Sequence, residues 1–238
     1  MSIIETEIRG SVAVITMVNG ENRQDLPFAN AMLDAFDEAE ADPAVKSIVL
    51  TSNDEKSWSQ GVNLQWLMAR MQAGEQDQVK AFMYGMNAVF ARLLQAPVPV
   101  IGAITGHAFG NGAMLACCCD FRFMRADRGY LCFPEVDISI PFLPGMIAFC
   151  RKAIPEHRFN EMKLSGRKVT AEELAADHVV QAALPDAPAT LDAAIAYAET
   201  FRKSRKIFGE HKRRMHKHII STMDTEDKEY IEALRLTV

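Results

Sequence analysis

The chain has 238 residues, of which 49% are hydrophobic and 24% charged, and its formal net charge is −5. These values are typical of a soluble globular protein that is long enough to bury one substantial core. The acidic balance gives no general basis for binding nucleic acid or an anionic membrane, because an acidic surface repels phosphates.

The cysteines and the ends of the chain bear on its compartment. Three of the five cysteines are consecutive, at 117–119, which fits neither a disulfide framework nor a zinc site and favours a reducing compartment. The first ten residues lack the basic and apolar regions of a secretory signal, and the C-terminal LTV is not a peroxisomal signal. No apolar run is long enough to cross a membrane. We therefore expect a cytoplasmic protein that binds no metal and no membrane.

The first third of the chain alternates between strand and helix patterns. Ser11–Val18 is β-branched and apolar, Pro27–Ala41 carries apolar residues at helical spacing, and Lys46–Ser52 is again a short apolar run. The order strand, helix, strand predicts a parallel sheet.

A polar, glycine-bearing segment then leads into a helix that starts near Leu64. Met68–Asp77 is rich in Met and Gln, and we interpret it as a mobile connection. Asp77 is predicted to cap a long helix, Gln78–Gln95, and the strand Val98–Thr105 follows it.

The second half of the chain is mainly helical in pattern. Two prolines in Ile138–Pro144 argue against a central strand, while Met146–Lys152 and Glu156–Leu164 predict helices. Thr170 and Glu173 form the pattern of a capping box, which predicts a helix start.

The last predicted strand is Val179–Leu184, and Pro185–Thr190 has the composition of a linker. Only helices are predicted over Leu191–Leu236. We therefore divide the chain into a core domain, residues 1–190, and a helical C-terminal region, residues 191–238.

Two glycine turns each open onto an apolar helix. The first is SQGVNL, residues 59–64, and the second is GHAFGNGAM, residues 106–114, where the helix is expected to begin at Ala113. A helix N-terminus presents unpaired N–H groups, so the two turns could direct two N–H groups at one oxygen. For either turn alone, close packing of helix on strand or an ordinary surface loop is at least as good an interpretation.

Glu135 follows a proline within an apolar neighbourhood, LCFPEV. Burial would raise its pKa toward the range that suits a general base. An isolated glutamate is more often a solvated loop residue, and the apolar flanks weigh only modestly against that interpretation.

Residues 202–217 contain eight Lys or Arg and one Glu, so the rest of the chain carries about −12. Such a face could bind the phosphates of CoA or of RNA. The default interpretation is a solvated or subunit-facing surface, and its histidines fit that surface better than a metal site.

Three segments, SWSQGVNL, PVIGAITGHAFGNGAML and MRADRGYLCFPEVDI, together resemble the enoyl-CoA hydratase/isomerase (crotonase) superfamily in residue pattern, order and separation. They are most similar to its Δ3,Δ2-enoyl-CoA isomerase branch. The resemblance covers most of residues 1–190. It implies an α/β, crotonase-like fold of repeated ββα units, a helical C-terminal trimerisation region, and a homotrimer or a dimer of trimers.

The resemblance also implies roles for residues. Glu135 would be the catalytic base, and the backbone N–H groups of Val62 and Asn111 would form the oxyanion hole, with Asn111 standing where the family usually has glycine. The substrate would be an acyl-CoA thioester, with no further cofactor and no metal. We expect the remaining substrate contacts from Gly61, Asn63, Leu64, Gly110, Gly112, Trp66 and Phe142.

Met114 departs from the pattern of the hydratases, which carry a second glutamate on the helix after the second turn. Hydration is served by two carboxylates, whereas moving a double bond needs one base that takes a proton from C2 and returns it to C4. We therefore expect conversion of 3-enoyl-CoA to 2-enoyl-CoA. The alternatives are another acyl-CoA activity of this fold (hydratase, thioesterase or decarboxylase) and a catalytically silent member that binds CoA or RNA, although nucleic acid is the less favoured partner.

Overall fold

The structure is a computed structural model that describes residues 2–235. The LTV segment discussed above lies outside the described residues. The strands are β1 (Ile4–Arg9), β2 (Val12–Met17), β3 (Arg23–Gln24), β4 (Ser47–Ser52), β5 (Ser57–Ser59), β6 (Gly61–Val62), β7 (Val100–Ile104), β8 (His107–Phe109), β9 (Phe121–Arg125), β10 (Leu131–Cys132) and β11 (Ala182–Leu184). The helices are α1 (Leu26–Ala41), α2 (Leu64–Gln72), α3 (Gln76–Gln95), α4 (Asn111–Cys118), α5 (Pro144–Ala153), α6 (Glu156–Ser165), α7 (Ala171–Ala176), α8 (Ala187–Ala198), α9 (Arg205–Met215) and α10 (Lys217–Glu232).

The main sheet has six strands in the order β1-β2-β4-β7-β9-β11. Strands β1 and β2 are antiparallel, and every later neighbour pair is parallel. The predicted parallel arrangement of the first strands is therefore confirmed. The last strand is shorter than predicted, since β11 pairs with β9 only from Ala182 onward.

Both faces of the main sheet are covered. Alternate side chains of each strand point to opposite faces, so each strand contributes to a core on either side. On β2, Ala13, Ile15 and Met17 join the large core that the buried faces of α1, α3, α4 and α5 complete. Val12 and Val14 belong to a second, smaller core with α8.

The position of α8 shows that the predicted linker at Pro185–Thr190 is wrong. Asp186 accepts a hydrogen bond from Ala189 N–H, and Pro188 lies in the first turn of the helix, where a missing N–H costs nothing. The boundary drawn at residue 190 thus falls inside α8, and the division into two regions stays a prediction.

The predicted mobile connection Met68–Asp77 is also wrong. Helix α2 continues to Gln72 and α3 begins at Gln76, so only three residues join them. Asp77 lies in the first turn of α3 and does not cap it, although its charge there still favours the positive end of the helix. The short connection fixes α2 against α3, with the Trp66 ring 5.6 Å from that of Phe82.

Two smaller sheets place the glycine turns. Strands β10, β8 and β5 form a parallel three-stranded sheet, and β3 pairs with β6. The first turn, residues 59–64, begins at the end of β5 and includes β6, and the second turn, residues 106–114, includes β8 and the start of α4. Since β5 and β8 are neighbours, the two turns emerge beside one another.

The capping box at the start of α7 is confirmed, because Thr170 and Glu173 make both of its hydrogen bonds. Helices α5 and α6 contain the two helices predicted before it, and residues 138–143 include no strand. Within residues 2–235, no helix is both long and apolar enough to cross a membrane.

The basic segment 202–217 divides into buried and exposed cations. Lys212 is buried and donates to Leu93 O at 2.8 Å and to Asp120 Oδ2 at 2.6 Å, which attaches α9 to the end of α3. Arg213 and Arg214 are exposed and pair with Glu210 of their own helix.

Helix α10 is attached to the core by Asp227, whose side chain is fully buried. One carboxylate oxygen accepts from Gly145 N–H at the start of α5 at 2.8 Å, and the other accepts from Asn87 Nδ2 on α3 at 3.0 Å. This residue therefore joins three helices at one point.

We expect Asp227→Ala to lower the free energy of unfolding by about 2 to 4 kcal/mol, because it leaves two buried donors without a partner. Urea denaturation measures this change. The matched control is Asp224→Ala, at an exposed position of the same helix, which should change the stability by less than about 0.5 kcal/mol. Equal effects of the two substitutions would contradict the role given to Asp227.

Candidate active site

The two glycine turns meet backbone to backbone. Gly61 has φ +76°, and a Cβ at this position would lie 2.6 Å from Phe109 O and 3.0 Å from Asn111 N. Gly112 packs in the same way against the backbone of Ser59. The close approach therefore requires glycine on both sides of the contact.

The Val62 N–H is directed away from strand β3. In the β3–β6 ladder Gln24 is opposite Val62, and Asn63 N–H donates to Gln24 O at 2.7 Å. Successive residues of a parallel strand direct their N–H groups to opposite edges, so the Val62 N–H faces the other side, where Val62 lines a cavity.

The second N–H comes from the start of α4. Gly110 takes φ +54°, and Asn111 follows as the first residue of the helix, two residues earlier than the predicted start at Ala113. Asn111 has no left-handed backbone conformation, so the turn accepts asparagine without strain. No acceptor among residues 2–235 bonds to its N–H, which is one of the unpaired donors of a helix N-terminus.

Ser59 fixes the first turn from behind. Its Oγ accepts from Gly61 N–H at 3.2 Å and from Gln24 Nε2 at 3.1 Å, and it donates to Asn22 O at 2.8 Å. These three bonds use the full capacity of a hydroxyl, and the side chain is completely buried. The turn is therefore held rigidly at the position where it meets α4.

Glu135 lies in a single 3₁₀ turn, Pro134–Val136, and is only 7% exposed. Burial raises its pKa to about 7, although a hydrogen bond from its own backbone and the charge of Lys163 act in the opposite direction. Its Oε1 is beside Gly110, and its Oε2 is buried without a hydrogen-bond partner among the described residues. The carboxylate thus faces the second turn and has an oxygen free to accept a proton.

A cavity of about 230 Å³ connects these groups. Of the residues predicted to form the site, the following line it: Val62, Leu64, Gly110, Asn111, Glu135 and Phe142. Gly61 and Gly112 shape it through the backbone contact described above. Asn63 caps α2 through a bond from Trp66 N–H at 3.2 Å, and Trp66 packs on Phe82 outside the lining. Direct contact of these four with a substrate stays a prediction.

Most of the apolar residues that line the cavity were not predicted from the sequence. The lining residues that the sequence did not identify come from several helices and loops and from the segment after α10, namely Arg23, Gln60, Leu67, Met71, Phe82, Met83, Pro134, Ile138, Ile140, Pro141, Leu143, Met146, Leu234 and Arg235. Met114, whose position the sequence analysis singled out, lines the cavity as well. The spacing of Leu64, Leu67 and Met71 is helical and could have identified the α2 part. A further neighbour is Lys163, whose Nζ lies 4.0 Å from the centre of the Phe142 ring.

The arrangement can polarise a carbonyl and remove an adjacent proton. Val62 and Asn111 line the same cavity, and the Asn111 N–H lies at the positive end of helix α4, which favours an oxygen that gains negative charge. Glu135, whose pKa is raised to about 7, lines the same cavity beside Gly110. The residues described by the structure contain no cluster of three or more His, Cys, Asp or Glu that could hold a metal ion.

A family sequence profile described as enoyl-CoA hydratase/isomerase matches residues 7–234. Enoyl-CoA delta isomerase 2, peroxisomal, from Arabidopsis thaliana is 32% identical over 76% of this chain and 76% of its own length. A putative enoyl-CoA hydratase from Thermus thermophilus is 31% identical over 82% of this chain and 76% of its own length.

A solved structure of a probable enoyl-CoA hydratase from Mycobacterium tuberculosis is similar in fold, with a TM-score of 0.86, 22% identity, and coverage of 97% of this chain and 95% of its own. Enoyl-CoA hydratase from Bacillus halodurans gives a TM-score of 0.85 at 18% identity, over 97% and 94% of the two chains. The predicted fold class is thereby confirmed.

We expect Gly61→Ala to destabilise the protein more than Gly74→Ala. Both glycines have a left-handed backbone, with φ of +76° and +73°, but a Cβ at Gly74 would meet no atom within 4 Å. The control therefore measures the backbone strain alone, roughly 1 kcal/mol, and Gly61→Ala adds the cost of separating the two turns. Urea denaturation compares them, and equal losses would contradict the close contact.

Proposed function

Since the chain belongs to the enoyl-CoA hydratase/isomerase family, we propose that it converts 3-enoyl-CoA thioesters to 2-enoyl-CoA thioesters. The substrate of such an enzyme is the CoA thioester itself, and no further cofactor is needed. The observation that carries the proposal is that Glu135 is the sole carboxylate among the described residues that line the cavity, which Val62 and Asn111 also line.

The first step is removal of a proton from C2 of the acyl group by Glu135. The electron pair of the broken C–H bond moves toward the thioester oxygen and forms a dienolate. The N–H groups of Val62 and Asn111 stabilise this charge, because preorganised donors in a site with little water interact more strongly than water does. Glu135 then carries the proton.

The second step returns that proton to C4, so that the double bond lies between C2 and C3. One carboxylate suffices, because the same group acts first as base and then as acid. Met114 supports this proposal over hydration. Its thioether lines the cavity at the position where the resemblance places the second glutamate of hydratases, and it can neither activate a water molecule nor transfer a proton.

The names of the relatives are compatible with isomerisation but do not distinguish it from hydration. Among the curated relatives, enoyl-CoA delta isomerases occur beside a putative enoyl-CoA hydratase. The conclusion therefore depends on the residues of the cavity.

We also propose a cytoplasmic homotrimer or dimer of trimers. The five cysteines are unpaired in the structure, which supports a reducing compartment. The trimer follows from the family resemblance, and light scattering after size-exclusion chromatography measures the mass of the assembly.

Glu135→Gln should lower kcat for 3-enoyl-CoA isomerisation by roughly 10²- to 10⁴-fold, the contribution of a positioned general base. Mass spectrometry with analysis of the double-bond position identifies the product. Asp137→Asn is the control, because Asp137 is exposed two residues away, and it should retain wild-type kcat. Isomerisation by Glu135→Gln at the wild-type rate would disprove the mechanism. A product heavier by one water, or release of free thiol, would indicate a hydratase or a thioesterase.

The pH dependence should report the same carboxylate. Glu135 acts as a base only when it is ionised, and burial raises its pKa to about 7. We therefore expect kcat/KM to rise about tenfold per pH unit below pH 7 and to level off above it. A profile that is already flat at pH 5 would show that a group with an ordinary carboxyl pKa, or no carboxylate, controls the rate.

A further inference from the structure

The side chain of Asn111 is a polar group without a partner in the candidate site. Asn111 is only 6% exposed, and its carboxamide makes no hydrogen bond with any described residue. Neither carboxamide atom is among the completely enclosed polar atoms that lack partners, and the residue lines the cavity. The carboxamide is therefore not completely enclosed, and it belongs to a residue that lines the cavity.

Buried amides are normally hydrogen-bonded, and an unpaired one costs free energy. Asn63, at the start of the neighbouring helix α2, shows the usual outcome, since its side chain bonds to Trp66 N–H and to Asp25. Asn111 departs from this pattern in the cavity that Glu135 also lines. Glu135 also has an oxygen without a partner among the described residues, Oε2. A ligand in the cavity would complete the hydrogen bonding of the Asn111 carboxamide.

The location of Asn111 indicates which part of the ligand it meets. The carboxamide belongs to the same residue whose backbone N–H is proposed to bind the thioester oxygen, so only a few covalent bonds separate the two donors. The start of α4 carries the positive end of the helix dipole and favours an oxygen that gains negative charge. The residue that the family usually has here, glycine, could offer the backbone donor alone.

We propose that the carboxamide of Asn111 is a catalytic group that donates a hydrogen bond from Nδ2 to the thioester oxygen of the substrate. This inference rests on the proposed function. As Glu135 takes the proton from C2, the electron pair of that bond shifts to the oxygen, and the bond from Nδ2 strengthens together with those from the two backbone N–H groups. When C4 receives the proton, the charge returns and the bond weakens again. No covalent bond to Asn111 forms or breaks.

The test uses two substitutions that leave the backbone N–H in place. Asn111→Ala removes the carboxamide, and Asn111→Asp keeps its shape but offers no Nδ2–H donor. We expect each to lower kcat for 3-enoyl-CoA isomerisation about 10- to 100-fold with little change in KM, somewhat less than the loss of a backbone oxyanion donor. A wild-type kcat for Asn111→Ala would overturn the proposal. The proposal would also be overturned if Asn111→Asp retained wild-type kcat while Asn111→Ala did not. That result would show that the side chain accepts a hydrogen bond, for example from a hydroxyl of the acyl chain.

A second measurement separates this inference from the proposed function. Acetoacetyl-CoA forms an enolate that absorbs in the ultraviolet, so the enolate fraction of the bound ligand reports stabilisation of the oxygen without any turnover. Wild-type protein should raise this fraction, and both Asn111 variants should lower it at saturation. If wild type raises the fraction but does not isomerise 3-enoyl-CoA, the proposed function fails and the role of Asn111 in binding the enolate stands. If the variants equal wild type, the role of Asn111 fails.

Asn87→Ala is the matched control for a loss of stability. Asn87 is also nearly buried, but it bonds to Asp227 on α10 and is not part of the cavity lining. It should lower the free energy of unfolding while leaving the enolate fraction unchanged. A fall in the enolate fraction equal to that of Asn111→Ala would assign the effect to general loosening of the fold and would overturn the proposal.

Discussion

The contact between the two glycine turns is the constraint on which the rest of the site depends. Phe109 O and the Asn111 N–H approach Gly61 so closely that neither a side chain nor water fits between the two backbones. This contact sets the separation of the Val62 and Asn111 N–H groups, and Ser59 locks it through three buried hydrogen bonds. The sheets bring the turns together, but the absence of a side chain at Gly61 and at Gly112 determines how near they come.

The contact places the N-terminus of the buried helix α4, and with it the positive end of the helix dipole, at the cavity. Its N-terminus provides a donor to the cavity, and its C-terminal carbonyls receive cationic donors: Arg122 Nη1 bonds to Cys119 O at 2.6 Å and Lys152 Nζ to the same oxygen at 3.1 Å. Cations at this end interact favourably with the negative end of the helix dipole, and the positive end of the dipole lies at the cavity. Glu135 lies beside Gly110 at that end, and burial raises its pKa to about 7.

Much of this could be predicted from the sequence, because glycines and β-branched runs report local backbone requirements. The parallel strands, both turns and the position of Glu135 follow from such patterns together with the family resemblance. The errors have physical reasons. Pro188 was interpreted as part of a linker, yet a proline in the first turn also starts a helix, as it does in α8. Met146 and Leu234 line the cavity because segments far apart in the sequence pack together, and a local sequence pattern cannot predict such packing.

The methionines of the cavity have a consequence for the chemistry of the protein under oxidative stress. The thioethers of Met71, Met83, Met114 and Met146 all line one small space. Such side chains adapt to irregular apolar shapes, but oxidation to the sulfoxide makes each of them polar and chiral. Met71 is half exposed, so oxidants in solution reach it first. The methionines that give the wall its adaptable shape therefore also make it vulnerable to peroxide, and a methionine sulfoxide reductase would restore them.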